Sequence, residues 1–372
     1  MSTSTSNRVL TVLLSSLEQL DDNRRSQGKR HPQGFILSIV MFATMSGYLG
    51  YRAIGDFIDK HKKQLVYIFK PEKDRVPSFS TVRRVLMKVD FDQFTIIYKD
   101  WLGNSLPESD QIDSWYSIDG KALRGTITGD NSNEYVHLVS IFSAFDKIVV
   151  DTGKVKDKSN EIPLVQKLIK ESSLERVIFT LDALHCQKET TKNIIESNND
   201  YVIAVKENQP KLYKQIRENI KETDPVSIDY TLEKNKGRKE ERELFVYDNL
   251  ENIDPDWMGL KRIIQVNRRI DHIKAQKMTE ETVYYITSLI KDAADLNQGV
   301  RAHWHIENTL HWTKDVVFKE DASKIRTGNA PENISLIKNW VMAVFRKNGF
   351  KSMTKAVRKT ANDIKFMIKL LE

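Results

Sequence analysis

Apolar residues return every three to four positions through 9–20, 35–48, 54–69 and 91–101, the period of helices with one buried face. The first hundred residues therefore read as all-helical. Between the last two segments, VPSFSTVRRVLMKV (76–89) places a turn at Pro77 and Ser78 and an N-cap at Ser80. That cap opens a short helix carrying Thr81, Arg83, Arg84 and Lys88. A short basic helix after a tight turn fits the recognition helix of a helix-turn-helix unit, and equally an ordinary amphipathic helix. After Pro107 the period becomes that of strands, at 115–118, 137–145 and 148–150, with turn residues at 129–133 and 146–147. These three form an antiparallel meander. Helix 162–171, strand 177–181, helix 188–197 and strand 201–205 follow. A βββαβαβ order indicates a mixed sheet with helices on its faces, an α/β fold. From 210 to 295 the charged run EKNKGRKEERE precedes strand-like segments at 244–247, 262–266 and 282–289, a β-rich insertion hung on the sheet. Beyond 297 the chain reads as helical to its end, with a break at 327–331.

The pattern divides the chain into a helical N-terminal domain (1–110), a first part of the sheet core (111–209), the insertion (210–296), and a closing helix with a basic helical tail (297–372). One segment, 33–51, is free of charge and nearly long enough to span a bilayer. It contains Ser38, Thr44, Ser46, Gly47 and Gly50 and runs straight into a charged amphipathic helix, so it reads as a buried helix. No membrane association is expected.

Charge sharpens this picture. The 372 residues carry a net charge of +7, unevenly spread. Residues 1–100 hold 16 Lys/Arg against 10 Asp/Glu, residues 322–372 hold 11 against 3, and the middle holds 31 against 38. Basic ends around an acidic centre suit a protein that grips a polyanion and holds cations in its middle, although surface charge also sorts this way by chance. Cys186 is the single cysteine, which excludes an internal disulfide and any multi-cysteine zinc module, and suits a reducing cytosol. The opening residues, MSTSTSNRVL, lack the basic stretch of a secretory signal, so a cytoplasmic location is expected.

Candidate chemistry sits where acids end apolar strands. Asp119 closes the strand in WYSIDGKALRG, and Asp182 closes another in VIFTLDALHCQ. Taken singly, each is more often a turn or cap residue than a ligand. If their strands are neighbours, the two carboxylates converge and can hold hard cations such as Mg²⁺ through oxygen. The segment VRAHWHIENTLHWTKDVVFKED is the densest: on a helix, His303, Glu307, His311 and Asp315 form one stripe at i+4 spacing. Glu307 among bulky neighbours is costly unless it meets a cation, which suggests a third metal ligand. A zinc site from His303, Glu307 and His311 competes, as does a merely structural polar stripe.

At these residues the chain resembles the DDE-type transposases of bacterial insertion sequences, in particular the H-repeat-associated branch. The likeness rests on VPSFSTVRRV (76–85), SIDGKALRG (117–125), LDALHCQ (181–187), VKENQ (205–209) and HWHIENTLHW with the following DVVFKED and RTGNAPENI (303–334). It covers nearly the whole chain. The resemblance implies an RNase H-like core with the triad Asp119, Asp182 and Glu307, binding two Mg²⁺ or Mn²⁺. It places the Glu in a helix after a β-rich insertion, which accounts for the 125 residues between Asp182 and Glu307. In relatives with this insertion a Tyr-x2-Arg-x3-Glu-x6-Lys pattern surrounds the Glu; here Lys314 fits its last position, while Val300 and His303 stand where Tyr and Arg would be. Glu320 and Asp321 are rivals for the third acid.

The activity so implied is metal-dependent cleavage at element ends and strand transfer into target DNA. The resemblance implies double-stranded DNA as the partner, a homodimer assembled on its two ends, and so a nucleoid-associated place in the cytoplasm. Arg83, Arg84, Lys121, Arg124, Lys206 and Lys314 are the candidate DNA contacts. A DNA-binding relic that no longer cuts, and a Mg²⁺-dependent nuclease without strand transfer, are the alternatives.

Overall fold

In the N-terminal helices burial follows the apolar period. The computed structural model describes residues 13–105, 113–127, 135–155, 161–235, 237–273 and 277–371; the turn expected at 129–133 and the start of the first helix lie outside them. Helix α1 (Gln33–Met45) is buried at every position, as its charge-free sequence requires. Among the described residues no helix is long and apolar enough to cross a membrane. Helix α2 (Tyr51–Phe69) buries Ile54, Phe57, Ile58, His61 and Leu65, one stripe at helical spacing. Helix α3 (Phe79–Leu86) starts two residues earlier than expected, because the extended backbone at Ser78 makes that residue the N-cap. It buries Val82, Val85 and Leu86 and leaves Arg83 and Arg84 exposed. Helix α4 (Phe91–Ser105) completes the group.

The sheet begins as an antiparallel meander of β1 (Trp115–Ala122), β2 (His137–Ser143) and β3 (Ile148–Val155). Helix α5 (Glu161–Glu171) leads to β4 (Ile178–Leu181), and α6 (Lys188–Glu196) to β5 (Asp200–Val205). β4 pairs parallel with β1 on one side and with β5 on the other. A meander followed by two parallel strands, in the order β3-β2-β1-β4-β5, is the RNase H-like arrangement. Side chains alternate between two cores: Tyr116, Ile118, Phe179, Leu181 and Ile203 face α5 and α6, while Leu138, Phe142 and Ile148 face the N-terminal helices.

The insertion is continuous with this sheet rather than hung on it. After α7 (Pro210–Lys221) come β6 (Ser227–Asn235), β7 (Arg238–Tyr247), β8 (Arg262–His272) and β9 (Lys277–Thr287). β9 pairs antiparallel with β5, giving one nine-stranded sheet ordered β3-β2-β1-β4-β5-β9-β8-β7-β6. The open edge of β5 supplies the hydrogen-bonding groups, and Leu244, Val246, Ile264 and Val266 extend the core beneath α8 (Ala293–His305). The charged run forms the β6–β7 hairpin. There Arg268 and Arg242 both meet Glu240, at 2.7 and 3.4 Å.

Helix α8 crosses β1 at Gly299, where a β-carbon would fall 2.0 Å from the Trp115 ring. Gly299→Ala is therefore expected to destabilise the protein by about 1–3 kcal/mol, seen as a lowered denaturation midpoint.

The chain ends in α10 (Ala330–Lys347), α11 (Met353–Thr360) and α12 (Ile364–Leu370), after the short α9 (Trp312–Val316). α10 is core rather than basic tail. It is buried from Ala330 to Phe345, and its Trp340 packs among Phe94, Tyr98 and Trp101. Asn333 donates to the carbonyls of Leu86 and Val89, and Thr360 to that of Met45, so the two ends of the chain share one core.

Candidate active site

Strand register brings the two aspartates together. Ile118 pairs with Leu181 across the parallel β1–β4 pair, so Asp119 and Asp182 stand at the same level of neighbouring strands. Asp182 follows the end of β4 as expected, but Asp119 lies inside β1, which stays paired with β2 as far as Ala122. Asp119 Oδ1 accepts from the Gly120 amide at 2.8 Å. Asp182 Oδ1 accepts from the Leu184 amide at 3.1 Å, closing the turn that follows β4, and the side chain is 53% exposed.

Glu307 reaches the cleft from the segment that follows α8. The segment Ile306–His311, between α8 and α9, is a π-helical turn. Such a turn sets one extra residue into the helix and is costly, and it occurs often at functional sites. It buries Ile306 and Leu310 and exposes Glu307. The straight stripe expected from i+4 spacing is thereby broken. His303 Nδ1 lies 2.9 Å from Thr180 Oγ1, His311 Nδ1 lies 3.7 Å from Asp119 Oδ2, and Asp315 receives Lys121 at 2.8 Å. The grouping of His303, Glu307 and His311 expected of a zinc site is not formed.

Asp182 and Glu307 line a cleft of about 230 Å³, walled also by Lys206, Arg242, Arg268 and Tyr285. Burial pushes the Asp119 carboxyl up to about 7; the Gly120 amide opposes this, and the charges of Asp182, Glu307 and Glu161 reinforce it. Burial, with the charges of Lys314 and Lys121, pushes His311 down to about 3, so its ring is neutral at pH 7. The three acids are near enough for the charges of Asp182 and Glu307 to act on Asp119. Among the described residues no three His, Cys, Asp or Glu side chains are spaced to hold an ion as they stand.

The rival acids are engaged elsewhere. Glu320 is buried between Lys314 and Lys338, at 3.5 and 3.4 Å, and Asp321 meets Lys121 at 3.3 Å and Arg124 at 4.0 Å. Lys314, expected to touch DNA, is 3% exposed and donates to Ser335 Oγ at 2.6 Å. Its ammonium is an internal partner of Glu320, and this corrects the expectation. Lys121 is held in ion pairs with Asp315 and Asp321, while Arg124 and Lys206 are exposed. Arg83 and Arg84 belong to the helical module, not the cleft. Sequence reading missed Arg242 and Arg268, because their place in the cleft depends on how β7 and β8 pair. It also missed Glu161, whose only signal is that it opens a helix behind the acids.

Comparison with known proteins bears on the whole chain. Residues 14–102 match the profile of the DDE_Tnp_1-associated family, and residues 112–343 match that of the transposase DDE domain. The H repeat-associated transposase-type protein YhhI of Escherichia coli K12 is 31% identical, over 97% of this chain and 98% of its own length. YbfL of the same strain is also 31% identical over the same shares, and the transposase-type protein YncI of Escherichia coli O157:H7 is 32% identical, over 90% of this chain and 88% of its own. The structure of piggyBac transposase in a synaptic complex with hairpin DNA aligns with a TM-score of 0.49 at 13% identity, over 99% of this chain and 81% of that one, too distant to carry the comparison further.

Proposed function

The chain belongs to the DDE transposases, in their H-repeat-associated branch, and on that premise we propose that it cuts DNA at the ends of an insertion element and joins the freed ends to target DNA. The observation that supports this reading is the meeting of Asp119 and Asp182 on adjacent parallel strands, with Glu307 on a π-turn that lines one cleft with Asp182 and whose charge acts on Asp119.

DDE transposases generally use divalent metals, and these residues fit them. The donors are all carboxylate oxygens, the set that Mg²⁺ and Mn²⁺ prefer. Burial raises the Asp119 carboxyl and the neighbouring acids add to it, and both penalties on the carboxylate are what a cation relieves. Asp119, Asp182 and Glu307 would hold a pair of ions. Such a pair activates the attacking hydroxyl and stabilises the leaving 3′-oxygen of an in-line displacement.

The other groups work by charge and position. Lys206 and Arg268 present cations on the cleft wall toward a phosphodiester backbone. The neutral His311 ring packs beside Asp119 without adding charge. Water attacks first and frees a 3′-hydroxyl; that hydroxyl then attacks the target strand, so no covalent enzyme intermediate forms. Cutting two ends calls for a homodimer assembled on double-stranded DNA.

The test is a labelled duplex carrying the element's own end, incubated with protein and Mg²⁺ or Mn²⁺. Nicks leaving a 3′-hydroxyl, and joined products with added target, are the expected result. Binding without any nick makes the protein a DNA-binding relic; nicks that never lead to joining make it a nuclease.

Arg83 and Arg84 serve the helical module as phosphate contacts in this reading. Replacing both with Ala is expected to weaken binding to duplexes of any sequence and to lower the slope of log affinity against log salt by about 2, measured by anisotropy over a KCl series.

A further inference from the structure

Behind the three acids lies a polar cluster that the transposase reading leaves without a role. Glu161, the first residue of α5, is clasped from two sides. His137 Nε2, on β2, lies 3.4 Å from one carboxylate oxygen, and His185 Nε2, in the turn after β4, lies 3.3 Å from the other. The same His185 nitrogen is 3.8 Å from Oδ1 of Asp182. Gly120, the residue after Asp119, closes the cluster from β1. A β-carbon there would fall 2.5 Å from His137 Nε2 and 2.7 Å from a Glu161 oxygen.

Four separate parts of the chain therefore meet at one point, and two of them carry the paired aspartates. Capping α5 would need only the carboxylate. A cap does not account for two imidazoles around it, nor for the glycine against which they pack. Side chains that tie a second layer of groups to metal-binding ones set the orientation of the latter, and such ties are costly to lose. Here the tie runs from Glu161 through His185 to Asp182, and from Glu161 through close packing to the Asp119–Gly120 backbone.

Resting on the transposase reading above, we propose that Glu161 is a fourth carboxylate of the centre: a positioning residue that aims the His185 ring at Asp182 and backs Gly120, fixing the Asp119–Asp182 pair for capture of a divalent cation. The ion is held by the aspartates, and Glu161 does not itself touch the reacting atoms.

Cation capture can be read without catalysis. Mn²⁺ is titrated into the metal-free full-length protein, free Mn²⁺ is followed by its paramagnetic resonance signal, and the same samples are melted. Glu161→Gln keeps the size and removes the charge. It is expected to weaken Mn²⁺ binding by about tenfold or more, with the melting temperature and the affinity for duplex DNA in EDTA unchanged. Glu161→Asp is expected to recover part of the loss. His185→Asn should reproduce the weakening, because it cuts the link to Asp182. Asp119→Asn sets the reference. If that variant binds Mn²⁺ as the wild type does, the metal centre of the transposase reading is itself wrong. If it loses the ion while Glu161→Gln keeps wild-type affinity, the proposal alone is overturned. Should Glu161→Gln fail to fold, wild-type affinity in His185→Asn overturns it.

Discussion

Glu307→Gln, Asp182→Asn and Asp119→Asn are each expected to lower end cleavage by more than about a hundredfold, the upper range for losing a mere outer partner of a metal site, while binding to the same duplex in EDTA stays at the wild-type level. Each substitution removes one charge from a set that acts on a common centre and leaves size nearly unchanged. Asp321→Asn is the informative control. Asp321 is held by Lys121 and Arg124, so its loss should be mild. If cleavage instead survives Glu307→Gln and fails in Asp321→Asn, the third acid has been misassigned. Stability should move the other way. Asp119→Asn takes one charge from mutually repelling acids, so the metal-free variant is expected to melt at or above the wild-type temperature, by differential scanning calorimetry.

Glu320→Gln is expected to cost about 3–5 kcal/mol of folding stability, because it leaves buried ammonium groups without their counter-charge. Lys314, Glu320 and Lys338 are each 2–3% exposed, so water cannot take the place of the carboxylate. Burial lowers the proton affinity of both lysines, and Glu320 opposes this in each case. Glu320 itself is raised by burial, but the two lysines outweigh that and hold it down at about 2, against an unperturbed 4.5. A folded value below the unfolded one means that its stabilisation is fully present above about 4.5 and fades as pH falls toward 2. The gap between wild type and Glu320→Gln in urea titrations should therefore be wide at pH 6 and close steadily below pH 4.5. Replacing all three residues with apolar ones of similar size is expected to restore much of the loss. A Glu320→Gln variant as stable as the wild type would show that solvent reaches the cluster.

What could be seen in the sequence followed from signals that are local. The charge-free run of α1, the strand end before Asp182, and the alternation that gives the RNase H-like sheet are all written in short stretches of chain. β6 escaped notice because its pattern is turned inside out. Asp229 faces inward and receives Asn297 at 2.7 Å, while Ile228, Tyr230 and Leu232 are exposed. The π-turn at Glu307 could not be read either, since period counting assumes a regular helix and so drew one stripe from residues that now serve three different partners. Lys314 was misplaced for a different reason. Its burial depends on Ser335 and Lys338 of α10, and a lysine's exposure is decided by whatever packs over it. Glu161 and the two histidines meet only through the sheet register and the docking of α5.

The shared core of the two chain ends has a consequence during synthesis. α1, an apolar helix with every side chain destined for burial, leaves the ribosome long before α10, α11 and α12, which lie far along the chain. Until those helices emerge α1 has no α10 packed against it and no Thr360 hydroxyl on the Met45 carbonyl. During that interval the nascent chain thus exposes an oily helix, a surface for chaperones and a seed for aggregation. A message truncated before residue 330 would yield a protein that holds both aspartates and Glu307 yet cannot close around them, and cells should clear it rapidly.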